Sequence, residues 1–300
     1  MTIFSNWSLP FTVSQDKLGL GEHFAKVWLR EKERPLCPTH VQKQAVFEAG
    51  RFSARLASCE EDLRQARRLR YRAFIDRSGA GTQGEDGDAF DESFDHLMIE
   101  EAGVLVATAR FKIFACGKDL AQGYSAQYYD LSPFLSMNEP ILELGRFCVS
   151  PQMLDPDVLR LAWGVLAYLA DAAQAAHLVG CSSFLRADPK SHQEALTLLR
   201  QSHLAPEAFR VGRKAKVIYS YAEHLAGRPV ERIQALRQMP PLLRSYLQMG
   251  GWVSDHAVLD HSLDTLHVFT CVTRAQVPQA RLQALRQIVL LQPDLAREGA

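Results

Sequence analysis

The sequence predicts an α/β (α+β) fold: a mixed, partly parallel sheet flanked by helices, with an extension at each end. Three observations carry this. Ile141–Val149, the helical pattern Pro156–His177 and Leu178–Phe184 read as strand, long helix, strand, and such a crossover is right-handed with parallel pairing. His96–Glu100 and Val104–Phe111, joined by Glu101-Ala102-Gly103, read as a hairpin, which is antiparallel. An apolar share of 47% and a charged share of 23% over 300 residues are globular values that supply a core of normal size.

In chain order, residues 1–50 are broken by Pro10, Pro35 and Pro38 and read as an amino-terminal extension. Arg51 to Ala57 alternates weakly, as a first strand does. Ser58-Cys-Glu-Glu61 matches a capping box and opens a helix that runs to about Phe74. A Gly- and Asp-rich loop, Ser78–Asp95, leads to the hairpin, and a loop centred on Tyr124–Asp130 leads to the strand Ile141–Val149. Pro156 sits in the first turn of its helix, where a missing N–H costs little. A shorter helix is expected over Ser191–Ser202 and a strand near Lys216–Ala222, followed by a charged stretch, 223–238. Pro240–Gly251 reads as a short helix with proline at its start and glycine past its end. Leu266–Val272 and Gln276–Leu291 complete the pattern as strand and helix. The domain expectation is a core over 51–225 and a carboxy-terminal extension, 226–300, packed on it.

Zero formal net charge argues against bulk attraction to nucleic acid. The six cysteines (37, 59, 116, 148, 181, 271) show no C-x-x-C and no zinc spacing. The amino terminus lacks a signal peptide's basic start and apolar core, and no apolar run approaches the ~18 residues of a membrane span. The expected location is therefore the cytoplasm. The common nucleotide, hydrolase and zinc signatures are absent. Asp86-Gly-Asp88-Ala-Phe-Asp91 suggests a calcium loop but fails, because Phe90 and Asp91 stand where a ligand and a glycine are needed. No metal is expected.

The strand Ile141–Val149 carries an anomaly. A buried parallel strand is normally a continuous apolar run, yet this one holds Glu143 and Arg146. Such groups are expensive inside a sheet unless paired or used in chemistry, and a structural Glu–Arg ion pair would put the same residues there. On a regular strand they face opposite sides. A bulge at Gly145 would turn both to one side and open the strand. An opened strand beside a parallel neighbour suits an extended acyl-pantetheine arm.

Arg70-x-x-x-Phe74, Asp88-x-x-Asp91, Arg110 and Glu143-x-x-Arg146 resemble, in order and spacing, the acyl-carrier-protein-dependent autoinducer synthase branch of the GNAT superfamily. The wider pattern is closer to the ornithine-lipid acyltransferases. It includes Leu69–Phe74, Glu143–Val149, Gly180–Phe184, Asp188-Pro189 and Met239–Gly251, and spans roughly residues 50–275. The resemblance implies a GNAT-like sheet and transfer of a 3-hydroxyacyl chain from acyl-carrier protein to the α-amine of ornithine, with no cofactor beyond the carrier's phosphopantetheine. It implies a site drawn from Arg70, Phe74, Asp88, Asp91, Arg110, Glu143, Gly145 and Arg146, with Phe147, Phe184, Asp188, Asp255 and Asp260 toward the substrates. The chain departs from the pattern at Phe147, Arg186-Ala187, Ser254–Asp260 and Asp264–His267. These leave the acyl-transfer core recognisable and bear on the acceptor. An autoinducer synthase, or a silent GNAT-like module that binds acyl chains or carrier protein, stands as the alternative.

Aminolysis of a thioester needs a base for the ammonium proton, and Glu143 is the candidate, directly or through a water. Backbone amides freed at a bulge would serve the developing oxyanion. CoA-dependent GNAT enzymes resemble one another in a glycine-rich turn after this strand, where helix-start amides hold pyrophosphate. Here the turn is Ser150-Pro-Gln-Met-Leu-Asp-Pro156, without glycine, which favours a carrier protein. Arg186, Lys190, Arg210, Arg213, Lys214 and Lys216 are its candidate contacts, and Phe147, Trp163, Leu166 and Phe184 candidates for an acyl slot. The Pro240–Trp252 segment is a candidate for resting on a membrane, although packing against the core explains the same pattern.

Overall fold

The computed structural model describes residues 47–76 and 83–290. The expected amino-terminal extension lies outside them except for residues 47–50. Strands β1 (Phe47–Ala49) and β2 (Phe52–Leu56) form a hairpin, so Arg51 sits in a turn and not in the strand expected there. Helix α1 (Glu60–Phe74) begins after Cys59, which makes no side-chain cap. The expected capping box is displaced: Asp62, not Glu61, reaches back to the Ser58 N–H at 2.9 Å. The buried Arg55 guanidinium binds the same Asp62 carboxylate through two bonds of 2.8 and 2.7 Å, and that charge-assisted fork fixes which acid turns inward.

β3 (Asp95–Glu101) and β4 (Val104–Phe114) form the predicted hairpin. Ala102 and Gly103 at its tip both have positive φ, 49° and 79°, as a two-residue type I′ turn requires. β5 (Tyr129–Asp130) is a fragment. β6 (Ile141–Val149) matches expectation, and α2 (Pro156–Ala172) stops five residues short of the predicted end, where Gln174 turns left-handed at φ 53°. β7 (His177–Leu185) and α3 (Gln193–Ser202) follow. The strand expected near 216–222 shrinks to β9 (Ile218–Tyr219), after β8 (Gly212–Arg213) and before the one-turn α4 (Tyr221–His224). Within the charged stretch lies a helix, α5 (Arg232–Gln238), and α6 (Pro241–Gln248) keeps its initial proline. β10 (Trp252–Asp260) was not foreseen. It pairs with β11 (Thr265–Thr273), and α7 (Gln279–Leu290) ends the described chain.

Among the described residues nine strands make one sheet in the order β1-β2-β3-β4-β6-β7-β11-β10-β9, while β5 and β8 pair separately. Among the described residues β6 and β7 are the only strands paired in parallel, so the sheet is mixed, as predicted from the crossover. Leu142 and Leu144 face α2 in a cluster with Trp163, Leu166 and Tyr246. Ile141, on the other face, joins Phe94, Phe134, Tyr129 and Phe269. Phe184 belongs to a third cluster with α3, Ala235 of α5 and Leu243 of α6. Of these clusters, the one holding Ile141 borders the polar site.

Candidate active site

β6 and β7 pair only from Ile141–Leu144 to His177–Gly180. At the last paired position a Cβ on Gly180 would collide with the Leu144 carbonyl oxygen, so only glycine permits the approach. Beyond it the two strands are no longer paired, leaving backbone groups of Gly145–Val149 free on that side.

A bulge lies one residue later than the one expected at Gly145. Thr108 pairs with Cys148 and Arg110 with Gly145, so Arg146 and Phe147 oppose Ala109 alone. The left-handed residue is Arg146, φ 49°; Gly145 is not left-handed and has open space where its Cβ would be. The bulge does bring Glu143 and Arg146 to one face of the sheet. They are not an ion pair. The buried Glu143 carboxylate accepts the N–H groups of Tyr124 and Ser125 at 2.9 and 2.7 Å. The segment carrying those amides closes over it because Gly123 has no side chain: a Cβ there would strike Glu143 Oε2. Burial pushes the Glu143 carboxyl above the ordinary range, and the amide bonds oppose that rise.

Arg146 instead approaches Asp86 at 3.1 Å and Asp88 at 3.3 Å, and donates to the Tyr124 hydroxyl at 3.3 Å. Behind these lies a buried charge network. Arg70 holds Asp91 through a fork of 2.7 and 3.0 Å and binds Asp86 at 2.9 Å. Arg110 binds Asp91 at 2.7 Å and Asp88, and its guanidinium lies over the rings of Phe90, Phe94 and Tyr124. Arg70, Arg110 and Asp91 are fully buried, and the arginines hold the Asp88 and Asp91 carboxyls below their usual range. The family resemblance implied that these residues form one site; Arg70, Arg110 and Asp91 are buried beneath the pocket, with Asp88 and Arg146 at its surface.

That surface is a polar pocket of about 350 Å³ lined by Asp86, Asp88, Phe90, Tyr124, Gln127, Tyr128, Arg146, Asp260 and Ser262, among others. Asp260 projects from the β10–β11 turn and accepts from the Ser262 and Leu263 amides at 2.9 and 3.2 Å. Next to the wall, His267 packs edge-on to Tyr128. The Tyr129 hydroxyl donates to the His267 carbonyl at 2.9 Å and lies 3.1 Å from Nδ1. The buried His267 Nε2 has no hydrogen-bond partner among the described residues. Burial lowers the His267 pKa to about 4.

The other candidates fall elsewhere. Phe184, Trp163 and Leu166 are core residues, and Phe147 packs on the cluster under α2. Phe74 ends α1 and is half-buried. Asp188 is exposed and caps the turn 189–192, accepting from the Lys190 N–H and Ser191 hydroxyl at 3.0 and 2.7 Å. Asp255 is bound to His256 Nδ1 at 2.7 Å. Arg213 pairs with Glu223 at 2.5 Å, and Lys214 donates to the Ala126 carbonyl at 2.6 Å. Trp252, Leu243 and Tyr246 are buried, so the helix considered for a membrane packs against the core. Sequence reasoning missed Tyr124, Gln127, Tyr128, Ser262 and the site role of Asp86. All sit on irregular segments without periodicity; for Asp86 the signal was its Asp-Gly-Asp run. Among the described residues no cluster suits a metal ion.

The bulged strand lies in a stretch of the chain that resembles GNAT acyltransferases. The family model "Acetyltransferase (GNAT) domain" matches residues 69–164. The chain is 30% identical over 230 residues to L-ornithine N(alpha)-acyltransferase of Rhodobacter capsulatus, covering 72% of this chain and 88% of that protein. It is 30% identical over 237 residues to the enzyme of the same name from Brucella abortus, covering 73% and 83%. Among solved structures, FeeM, an N-acyl amino acid synthase from uncultured soil microbes, aligns with 77% of this chain and 98% of its own at 9% identity and a TM-score of 0.45. The chain belongs to the L-ornithine N(alpha)-acyltransferase family and is an acyltransferase.

Proposed function

We propose that the chain moves a 3-hydroxyacyl group from acyl-carrier protein to the α-amine of ornithine, as the family name and the charge of the pocket together suggest. The observation that carries the acceptor is electrostatic. With the buried Arg70 and Arg110 set against Asp86 and Asp91, the pocket presents Asp88 and Asp260 against Arg146, a net single negative charge. Ornithine has two ammonium groups and one carboxylate, the complementary balance. Arg146 takes the acceptor's carboxylate, and Asp260 with Asp88 takes the distal ammonium. Arg70, Arg110 and Asp91 hold those groups in place.

Glu143 receives the α-ammonium proton through a water, its carboxylate oriented by the two amides. The neutral nitrogen attacks the thioester carbon, the unpaired amides beyond Gly145 stabilise the oxyanion, and the carbon–sulfur bond breaks as the leaving thiolate takes the proton that the nitrogen sheds in becoming an amide. The donor reading rests on the start of α2. Asp155 already accepts the Asp157 N–H at 2.9 Å and pairs with Arg51 at 2.8 Å. That carboxylate already takes one helix-start amide and repels an anion, and Pro156 removes a donor, which disfavours a pyrophosphate there. A pantetheine arm on a carrier protein lacks that pyrophosphate and lies in the cleft between β6 and β7. The product is a lipid, which suits an enzyme peripheral to a membrane.

Purified protein incubated with 3-hydroxyacyl-carrier protein and a panel of amino acids, followed by mass spectrometry, tests this. N-acylornithine is the expected product. Acylation of no amino acid, or preference for acceptors without a second amine, overturns it.

A further inference from the structure

Helix α5 presents an unusual face. On a helix turning about 100° per residue, Arg232, Leu236, Ile233 and Arg237 fall in that angular order within an arc of roughly 140°. Two apolar side chains thus occupy the centre and an arginine each edge. Ile233 is 63% exposed and Leu236 46% exposed, although Ala235 on the helix's inner side and Met239 just past its end are buried. Arg232 and Arg237 are exposed and have no acidic partner among the described residues. Glu231, the nearest acid in sequence, is turned to the helix start, accepting from Ile233 N and Gln234 N at 3.2 and 2.9 Å. The helix packs on α3 and on the turn 189–192 that follows β7. It therefore stands beside the end of the sheet toward which β6 and β7 diverge.

We propose that this face of α5 is a docking surface for an anionic lipid bilayer. The proposal rests on the peripheral-membrane reading above and gives it a location. An apolar stripe with arginines at both edges is the arrangement of an interfacial helix, whose long basic side chains reach the headgroups while the stripe enters the acyl boundary. Two apolar side chains give weak, reversible association, so negative lipid is required for measurable binding. The place beside the open end of the cleft suits release of an acylated product.

The test is co-sedimentation of the full chain with vesicles of phosphatidylglycerol and phosphatidylcholine, against vesicles of phosphatidylcholine alone. The expected result is pelleting with the anionic vesicles only, weakening with salt. R232E/R237E is expected to lose at least tenfold in partitioning, since each cation near such a surface contributes about fivefold. I233S/L236S is expected to lose binding too. R72E/K118E, an equal change of charge elsewhere on the surface, retains it. Wild-type protein that fails to pellet, or α5 variants that pellet like wild type, overturns the proposal. A raised KM for acyl-carrier protein with vesicle binding intact does so as well, and marks a protein-binding face. Turnover measured without vesicles reports the acyltransferase reading separately.

Discussion

Asp260 and Glu143 make the sharpest claims at the level of single residues, because each carries one charge into one place. Asp260→Asn keeps the amide bonds to one oxygen of the turn and removes the charge offered to the distal ammonium. A hydrogen bond to a charged group is worth about 1.5–3 kcal/mol, so KM for ornithine is expected to rise roughly ten- to a hundredfold with kcat little changed. Norvaline, which lacks the second amine, is expected to be unaffected; steady-state kinetics with both acceptors checks this. For Glu143→Gln in a folded variant, kcat is expected to fall by roughly a hundredfold or more, the contribution of a positioned base. Undiminished turnover rules that assignment out. Glu143 was legible in the sequence as an acid in a strand that should be apolar. Its partners were not, because Tyr124 and Ser125 bind it through backbone groups that every residue possesses.

Among the elements, the β6–β7 pair decides the chemistry. Gly180→Ala puts a methyl group against the Leu144 carbonyl at the point where pairing stops. Both partners are backbone within a central sheet, so relief requires the strands to part, and overpacking of this kind costs about 1–3 kcal/mol. A lowered thermal midpoint together with lost turnover is expected, measured by calorimetry and assay on the same sample. The strand, the crossover helix and the next strand were readable because apolar periodicity and Pro156 punctuate them. The bulge was readable as a need and misplaced as a position. Glycine at 145 is the obvious candidate for a left-handed residue, yet Arg146 adopts it, held by Asp86, Asp88 and the Tyr124 hydroxyl. Tertiary contacts overrode local propensity there, and the same holds for Asp62 displacing Glu61 at the start of α1.

For the molecule as a whole, pH is the informative variable. Burial lowers His96 and His267 to about 4, and lowers His177 and His203 as well. Their unfolded value is near 6.5. Above that, neither state binds the proton and nothing is lost. For His96 and His267, between about 6.5 and 4 the unfolded chain takes a proton that the folded chain refuses, so stability falls as pH falls, by up to ~1.4 kcal/mol per pH unit for each of the two, and His177 and His203 add in the same direction. Urea titrations at intervals across that window are expected to show the decline, and His267→Asn to remove its share of the slope. A slope unchanged in the variant contradicts the burial of a neutral His267. Below about 4 the carboxylates continue the trend: Asp88 and Asp91 are held low by arginines, and their stabilisation is lost as they protonate.

By itself the sequence determined the mixed sheet, its parallel crossover, the acid and base on one strand, and the Arg–Asp set that belongs with them. The sheet, the crossover and the acid and base are written in periodicity and punctuation, which are local, whereas the Arg–Asp set was legible only through the resemblance to a known family. Only the tertiary structure decided that Glu143 and Arg146 serve different partners, that Arg70, Arg110 and Asp91 lie beneath the site, and that Asp260, some 170 residues from Asp88 along the chain, shares its pocket. It also moved the exposed apolar face from α6 to α5. Each of these depends on which irregular segments close over a sheet face. Backbone amides, missing side chains at Gly123 and Gly180, and long-range charge pairing settle that, and none of them leaves a periodic mark in the chain.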